Sequence, residues 1–343
     1  MKYLPKFLRT MGGLALALGL CLVLSSCNQE DGFGTPAPSG ENNNITTPSV
    51  ATPEFDRTPP EVKMPEYVGT IQVTQNDGAS EGLIDITNLN EGYIAAQITT
   101  GVDSKILITH NDTGAQDQYW MDSDGTMNFY PVTHGDGSYS FKLYTSANDP
   151  NNPNAYYPFV SIDGNATLVS EQAPYLVPTK LVRYTPDSLC VAESYELAAH
   201  SADNLSVAQQ VFAWVAGNIE YDYDKADEIG GTTLRYEPYP DETYETRLGI
   251  CYDYASLLAA MLRANGIPTK LVKGEVMRSD GQIIAHAWNM VWTEQSGWIA
   301  VDSNVIANAW NRVDPTFYAT AGNEATAAQY VGDGESYTPH SEH

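Results

Sequence analysis

The sequence predicts a multidomain chain in which an all-β unit precedes an α+β unit, both carried on a flexible lead. Three observations predict it. From Tyr67 to about Ser170, short β-branched and aromatic runs alternate with Asn-Asp-Gly and Asp-Gly turn signals. From about Ser188 to Ala264 the apolar spacing becomes helical, and from Thr269 to Asp302 it returns to strand alternation. Ahead of both lies a stretch rich in Pro, Gly, Asn and Thr, a composition that cannot bury a core.

The chain opens with Lys2, Lys6 and Arg9 before an apolar run from Met11 to Leu24 that is too short to span a bilayer comfortably. The run ends in Leu24-Ser25-Ser26-Cys27, which resembles the lipobox of a bacterial lipoprotein. The resemblance implies a signal peptide over 1–26, lipidation of Cys27, and an extracytoplasmic protein anchored in the cell envelope by its acyl chains. Residues 27–65 then read as a disordered tether, which near full extension would reach about 120 Å.

Charge narrows the partners. Against 17 Lys and Arg stand 43 Asp and Glu, a formal net charge of −26. Such a chain is repelled by nucleic acid and by anionic lipid surfaces, so no nucleic acid and no membrane contact beyond the anchor is expected. The four cysteines are Cys21, Cys27, Cys190 and Cys251. They offer no disulfide framework and no Cys-x-x-Cys pair, so neither a metal nor a cofactor is expected. Cys190, in an apolar helical stretch, reads as a buried small hydrophobe, although a Cys190–Cys251 disulfide in an oxidising compartment would silence the site described next.

Residues 66–170 carry candidate strands at Val68–Thr74, Tyr93–Thr99, Lys105–Thr109, Thr126–Val132, Ser138–Tyr144 and Tyr156–Ile162. Hairpin spacing over about a hundred residues argues a β-sandwich of immunoglobulin-like type. Gly78-Ala79-Ser80-Glu81-Gly82 has the spelling of a hydrolase nucleophile elbow, but no helix follows it. Asp122-Ser123-Asp124-Gly125 reads as a hairpin tip rather than a calcium loop.

Residues 171–343 form the second unit. Helices are expected at Ser188–Ala199 and Ser206–Asn218, then a Tyr-, Asp- and Gly-rich loop from Tyr221 to Tyr244 that suits one wall of a cleft. A third helix follows Thr246-Arg247-Leu248-Gly249-Ile250-Cys251 and stops at Asn265-Gly266 before Pro268. Cys251 falls in its first turn. Unpaired N–H groups and the positive end of the helix dipole there favour thiolate over thiol, which makes Cys251 a candidate nucleophile. Thr269–Met277, Ile283–Trp292 and Trp298–Asp302 read as a β-meander. A hairpin centred near Glu294 sets His286 opposite Asp302, so that a carboxylate holds one imidazole nitrogen while the other faces Cys251. Two other carboxylates compete for that place: Glu275, which the Asp280-Gly281 turn sets opposite His286, and Asp314 in Asp314-Pro315-Thr316.

Gly249-Ile250-Cys251 opening a helix, His286-Ala287-Trp288 on a strand, and Gly297-Trp298-Ile299-Ala300-Val301-Asp302 on the next resemble the three signature blocks of the transglutaminase-like superfamily of papain-type cysteine enzymes. The resemblance covers about 185–305 and includes the helix ending in Ile219-Glu220-Tyr221. It departs at Ser303-Asn304, where many members carry Pro-Thr. It implies Cys251 as nucleophile, His286 as general base and acid, Asp302 as orienter, and an oxyanion hole from the Cys251 N–H with Tyr221 as a side-chain candidate. The implied activity is a cysteine peptidase that opens amide bonds of a peptide or protein through an acyl-enzyme. The alternatives are a protein-glutamine transglutaminase or amidase, and a non-catalytic envelope-binding module.

Overall fold

The computed structural model describes residues 57–230, 235–277, 281–300, 303–320 and 336–343. The signal segment, Cys27 and most of the lead lie outside them. The lead is already docked at its end: the Arg57 N–H donates to Ala199 O at 3.1 Å, its guanidinium to Asn204 Oδ1 at 2.7 Å, and Val62 joins the core. The expected tether boundary at residue 65 is therefore too late. Pro60 and Val62 give the segment something to bury, which the composition of 27–65 as a whole conceals.

The first unit holds β1 (Gln72–Asn76), β2 (Glu81–Asp85), β3 (Tyr93–Thr99), β4 (Ser104–His110), β5 (Gln116–Trp120), β6 (Asn128–Pro131), β7 (Gly137–Ser146) and β8 (Tyr156–Ala166). They form two antiparallel four-stranded sheets, ordered β1-β2-β3-β6 and β5-β4-β7-β8. Alternation along β4 buries Ile106 and Ile108, and across the gap Ile84, Ile94 and Ile98 join them in one cluster. At Gly82 an added Cβ would stand 2.9 Å from the Phe159 ring, a measure of how closely β2 lies on β8. The consecutive order β1-β2-β3 differs from the A-B-E-D order of immunoglobulin constant domains, so that comparison does not extend to topology. The elbow-like Gly78–Gly82 stretch is the turn into β2: the Asp77 carboxylate accepts the N–H groups of Ala79 and Ser80 at 3.0 and 2.7 Å.

The second unit opens with α1 (Leu189–Ala198) and α2 (Asn204–Asn218), the latter capped by Asp203, whose carboxylate accepts the Ser206 N–H at 2.8 Å. Where a loop was expected come β9 (Glu220–Tyr221), α3 (Tyr223–Gly230) and α4 (Pro240–Thr246). Then follow β10 (Leu248–Gly249), α5 (Cys251–Ala264), β11 (Thr269–Met277), β12 (Ile283–Thr293), β13 (Gly297–Ala300), β14 (Ser303–Val305), β15 (Ala309–Val313), α6 (Pro315–Thr320) and β16 (Tyr337–Glu342). The central sheet runs β15-β12-β11-β16. Helix α5 lies on it, and the Asn289 amide of β12 donates to Ala255 O at 2.9 Å. The expected meander fails at its third strand. β12 takes β15 as its second neighbour, while β13 among the described residues pairs with β14 and packs on α2, where a Cβ at Gly297 would meet Leu205 Cδ2 at 2.6 Å.

Candidate active site

The start of α5 is fixed by the residues before it. Arg247 ends α4 at φ +59°, and β10 then pairs in parallel with β9, Gly249 beside Tyr221. Gly249 must be glycine, because a Cβ there would stand 2.7 Å from the Cβ of Asp253. The buried Asp253 carboxylate accepts the Ile250 N–H at 2.9 Å, the Tyr236 hydroxyl, and Lys225 Nζ at 3.3 Å. Burial raises its pKa and those three donors pull it back. The Tyr254 hydroxyl donates to Ile219 O at 2.5 Å, tying the helix to the segment ahead of β9. Cys251 thus becomes the first residue of α5 and stays partly exposed while the thirteen residues after it are buried. Its N–H, at the head of the helix, has no intrahelical acceptor.

His286 approaches from β12, where its Cα partner is Gly274. Its Nε2 lies 2.7 Å from Asp314 Oδ2, in a pair with both side chains buried. The same oxygen accepts the Tyr337 hydroxyl at 2.8 Å, and Asp314 Oδ1 accepts the Phe317 N–H at 3.2 Å. Phe317 stacks on the imidazole at 4.4 Å between centroids, 13° from parallel. With Nε2 engaged, Nδ1 is left for Cys251. Burial on its own would lower the imidazole pKa; the Asp314 charge and hydrogen bond, then the bond to Cys251 and its charge, outweigh burial and lift it to about 10. The imidazole beside the sulfur thus holds its proton more tightly than a free histidine does.

Of the carboxylates weighed for His286, the structure brings Asp314 to it. Asp302 lies outside the described residues. Glu275 pairs with Ala285, one register step from His286, and its carboxylate instead lies 3.9 Å from His340 Nε2. Cys190 is buried and reduced. Tyr221, the oxyanion candidate, pairs by its backbone with Gly249, two residues ahead of Cys251. Tyr337 and Phe317 escaped the sequence reading, because nothing local in the chain links them to His286. Asp314-Pro315 did carry a signal, that of an acidic residue ahead of a helix-starting proline.

A family described as the transglutaminase-like superfamily matches residues 193–303. A UPF0252 protein of Methanocaldococcus jannaschii is 34% identical over 85 residues, 24% of this chain and 24% of its own length. A protein-glutamine gamma-glutamyltransferase of Pseudomonas aeruginosa is 37% identical over 71 residues, 18% of this chain and 11% of its own. The chain thus spans about a quarter or less of the length of these curated relatives. A solved structure from Cytophaga hutchinsonii, described as that of a candidate cysteine protease, is 14% identical with a TM-score of 0.34 over 80% of this chain and 91% of that one. Residues 193–303, with Cys251 heading a helix and His286 on a strand of the sheet under it, thus match a transglutaminase-like domain.

Proposed function

We propose that the chain is a lipid-anchored extracytoplasmic cysteine enzyme that opens amide bonds of a peptide or protein. The observation that carries this reading is a buried His286 bonded to Asp314 on one side and to Cys251 on the other. In the proposed cycle the Cys251 sulfur attacks the amide carbonyl carbon, an S–C bond forms, and the carbonyl electron pair moves onto oxygen. The Cys251 N–H, with Tyr221 as a second donor, steadies that oxyanion. His286 passes its proton to the amine nitrogen as the C–N bond breaks, leaving a thioester. Water then gives its proton to His286 and attacks the thioester, the thiolate leaves, and free acid is released. Asp314 keeps the imidazole in one tautomer throughout.

Hydrolysis is favoured over amine transfer because the segment beside the site is polar and acidic, carrying Asp222, Asp224, Asp227, Glu228, Asp241 and Glu242. The deciding measurement is product analysis from a peptide substrate with millimolar primary amine present. Free acid should dominate; predominant amide exchange would make the chain a transglutaminase or amidase-type acyl transferase. A Cys251 inert to thiol-directed probes would leave only a non-catalytic envelope module. The two facing four-stranded sheets support reading 66–170 as a β-sandwich, and Cys27→Ser should lose partitioning into detergent if Cys27 is the anchor.

A further inference from the structure

We propose that Lys273 forms an anion subsite beside Cys251, one that takes a carboxylate of the substrate. The inference rests on Cys251 being the nucleophile and deepens that reading. Lys273 lies on β11 with Ala287, the residue after His286, as its Cα partner on one side and Ser341 on the other. Its ammonium stands 4.8 Å above the ring of Tyr252, the residue after Cys251. Burial lowers its pKa, and the charges of Glu237 and Cys251 act against that.

Glu237 is already engaged, by Lys180 Nζ at 3.0 Å and by Arg183 Nη2 at 2.6 Å. Lys273 is left with three N–H donors and no hydrogen bond or ion pair among the described residues. In a chain with 43 acidic and 17 basic side chains, a surplus half-buried cation over the ring of the residue after the candidate nucleophile is poorly explained as packing. A structural lysine would extend its head to water or meet one of the many carboxylates. Here the head is held over the ring of Tyr252, next in sequence to Cys251.

A substrate carboxylate has the complementary charge and acceptors, and it can come from an acidic side chain or from a chain terminus. The first test compares alkylation of Cys251 by anionic iodoacetate and neutral iodoacetamide. Lys273→Met should cut the iodoacetate-to-iodoacetamide rate ratio about tenfold, and Lys273→Arg should restore most of it. An unchanged ratio overturns the subsite. Equal loss with both reagents also overturns it, since Lys273 would then act on the thiolate and not on the ligand.

The second test needs no reactivity and so separates failure of the subsite from failure of the thiol-enzyme reading. In Cys251→Ala, calorimetry with N-acetyl-alanyl-glutamate amide, N-acetyl-alanyl-alanine acid and N-acetyl-alanyl-glutamine amide should show an anionic ligand bound about tenfold tighter than the neutral one. The first two ligands distinguish a side-chain from a terminal carboxylate. The preference should vanish in Cys251→Ala/Lys273→Met, and equal affinity for all three overturns the proposal.

Discussion

Asp314 reaches His286 from just past the end of β15, 28 residues further along the chain, and the same oxygen accepts the hydroxyl of Tyr337 from still further. An asparagine in its place keeps the shape but carries no charge to stabilise the imidazolium and can favour the wrong tautomer. Asp314→Asn should therefore lower turnover on the scale of the ~10⁴-fold loss known for the equivalent change in a serine-protease triad. Asp302→Asn and Glu275→Gln should cost far less; a ranking led by Asp302→Asn would return the orienter to the position the sequence favoured. A second consequence follows from the raised His286 pKa. The folded state holds this proton more tightly than the unfolded chain, so the pair's stabilisation is complete below about 6.5 and lost as pH rises to about 10. Denaturant melts of wild type and Asp314→Asn should show a gap that is wide near pH 6 and narrows toward pH 10, and a gap that widens with pH would refute the assignment. Cys251 and His286 were legible in the sequence because each is marked by its own neighbours, a loop-to-helix transition and an alternating strand. Asp314 was not singled out, because choosing it requires knowing that β15, and not β13, lies beside β12.

At the scale of elements, strict alternation made β11 and β12 readable to within a residue, and three- and four-residue spacing did the same for α5. Short polar elements were lost. α3 and α4 are too brief and too rich in Tyr, Asp and Glu to show periodicity, and β2 and β5 were passed over between turn signals. The hairpin of β11 and β12 also turned one residue away from the expected centre, which is why Gly274 and not Glu275 faces His286. That glycine is required by packing: an added Cβ would stand 2.1 Å from Thr338 O and 2.8 Å from the ring of Trp288. Because Thr338 is backbone of β16, the clash cannot be relieved by a side-chain rotation. Gly274→Ala should push β16 outward, take the Tyr337 hydroxyl away from Asp314, and cost about 1–3 kcal/mol of stability. Equilibrium unfolding and turnover check it together. Full activity with unchanged stability would show that β16 is free to shift and that Tyr337 is dispensable.

Over the whole molecule, two units that look separate in the sequence share one buried cluster running from Val62 through both β-sheets to Val313. Lys180, 1% exposed at its side chain, joins Asp122 of the first unit at 2.6 Å to Glu237 of the second at 3.0 Å. Such contacts are invisible to periodicity, since each side chain taken alone reads as solvated surface. Arg263 does the equivalent deeper down. It is wholly buried at the end of α5 and donates to Thr269 O at 2.8 Å, Val177 O at 3.0 Å and His343 O at 2.7 Å. Burial lowers its pKa to about 10, so it remains charged at neutral pH, and three carbonyls depend on it. The neighbouring His343 imidazole accepts or donates at 2.8 Å with the Tyr119 hydroxyl of β5, so the strand that follows the site is pinned to the first unit as well. If this shared core governs unfolding, tryptophan fluorescence and far-UV circular dichroism should report one coincident transition for residues 57–343. Arg263→Met, which leaves the three carbonyls without their buried donor, should lower the stability of that single transition by about 3–5 kcal/mol. Two resolved transitions in the wild type, or loss of only the second unit in Arg263→Met, would show that the two halves are independent and that the joint is no more than contact between finished domains.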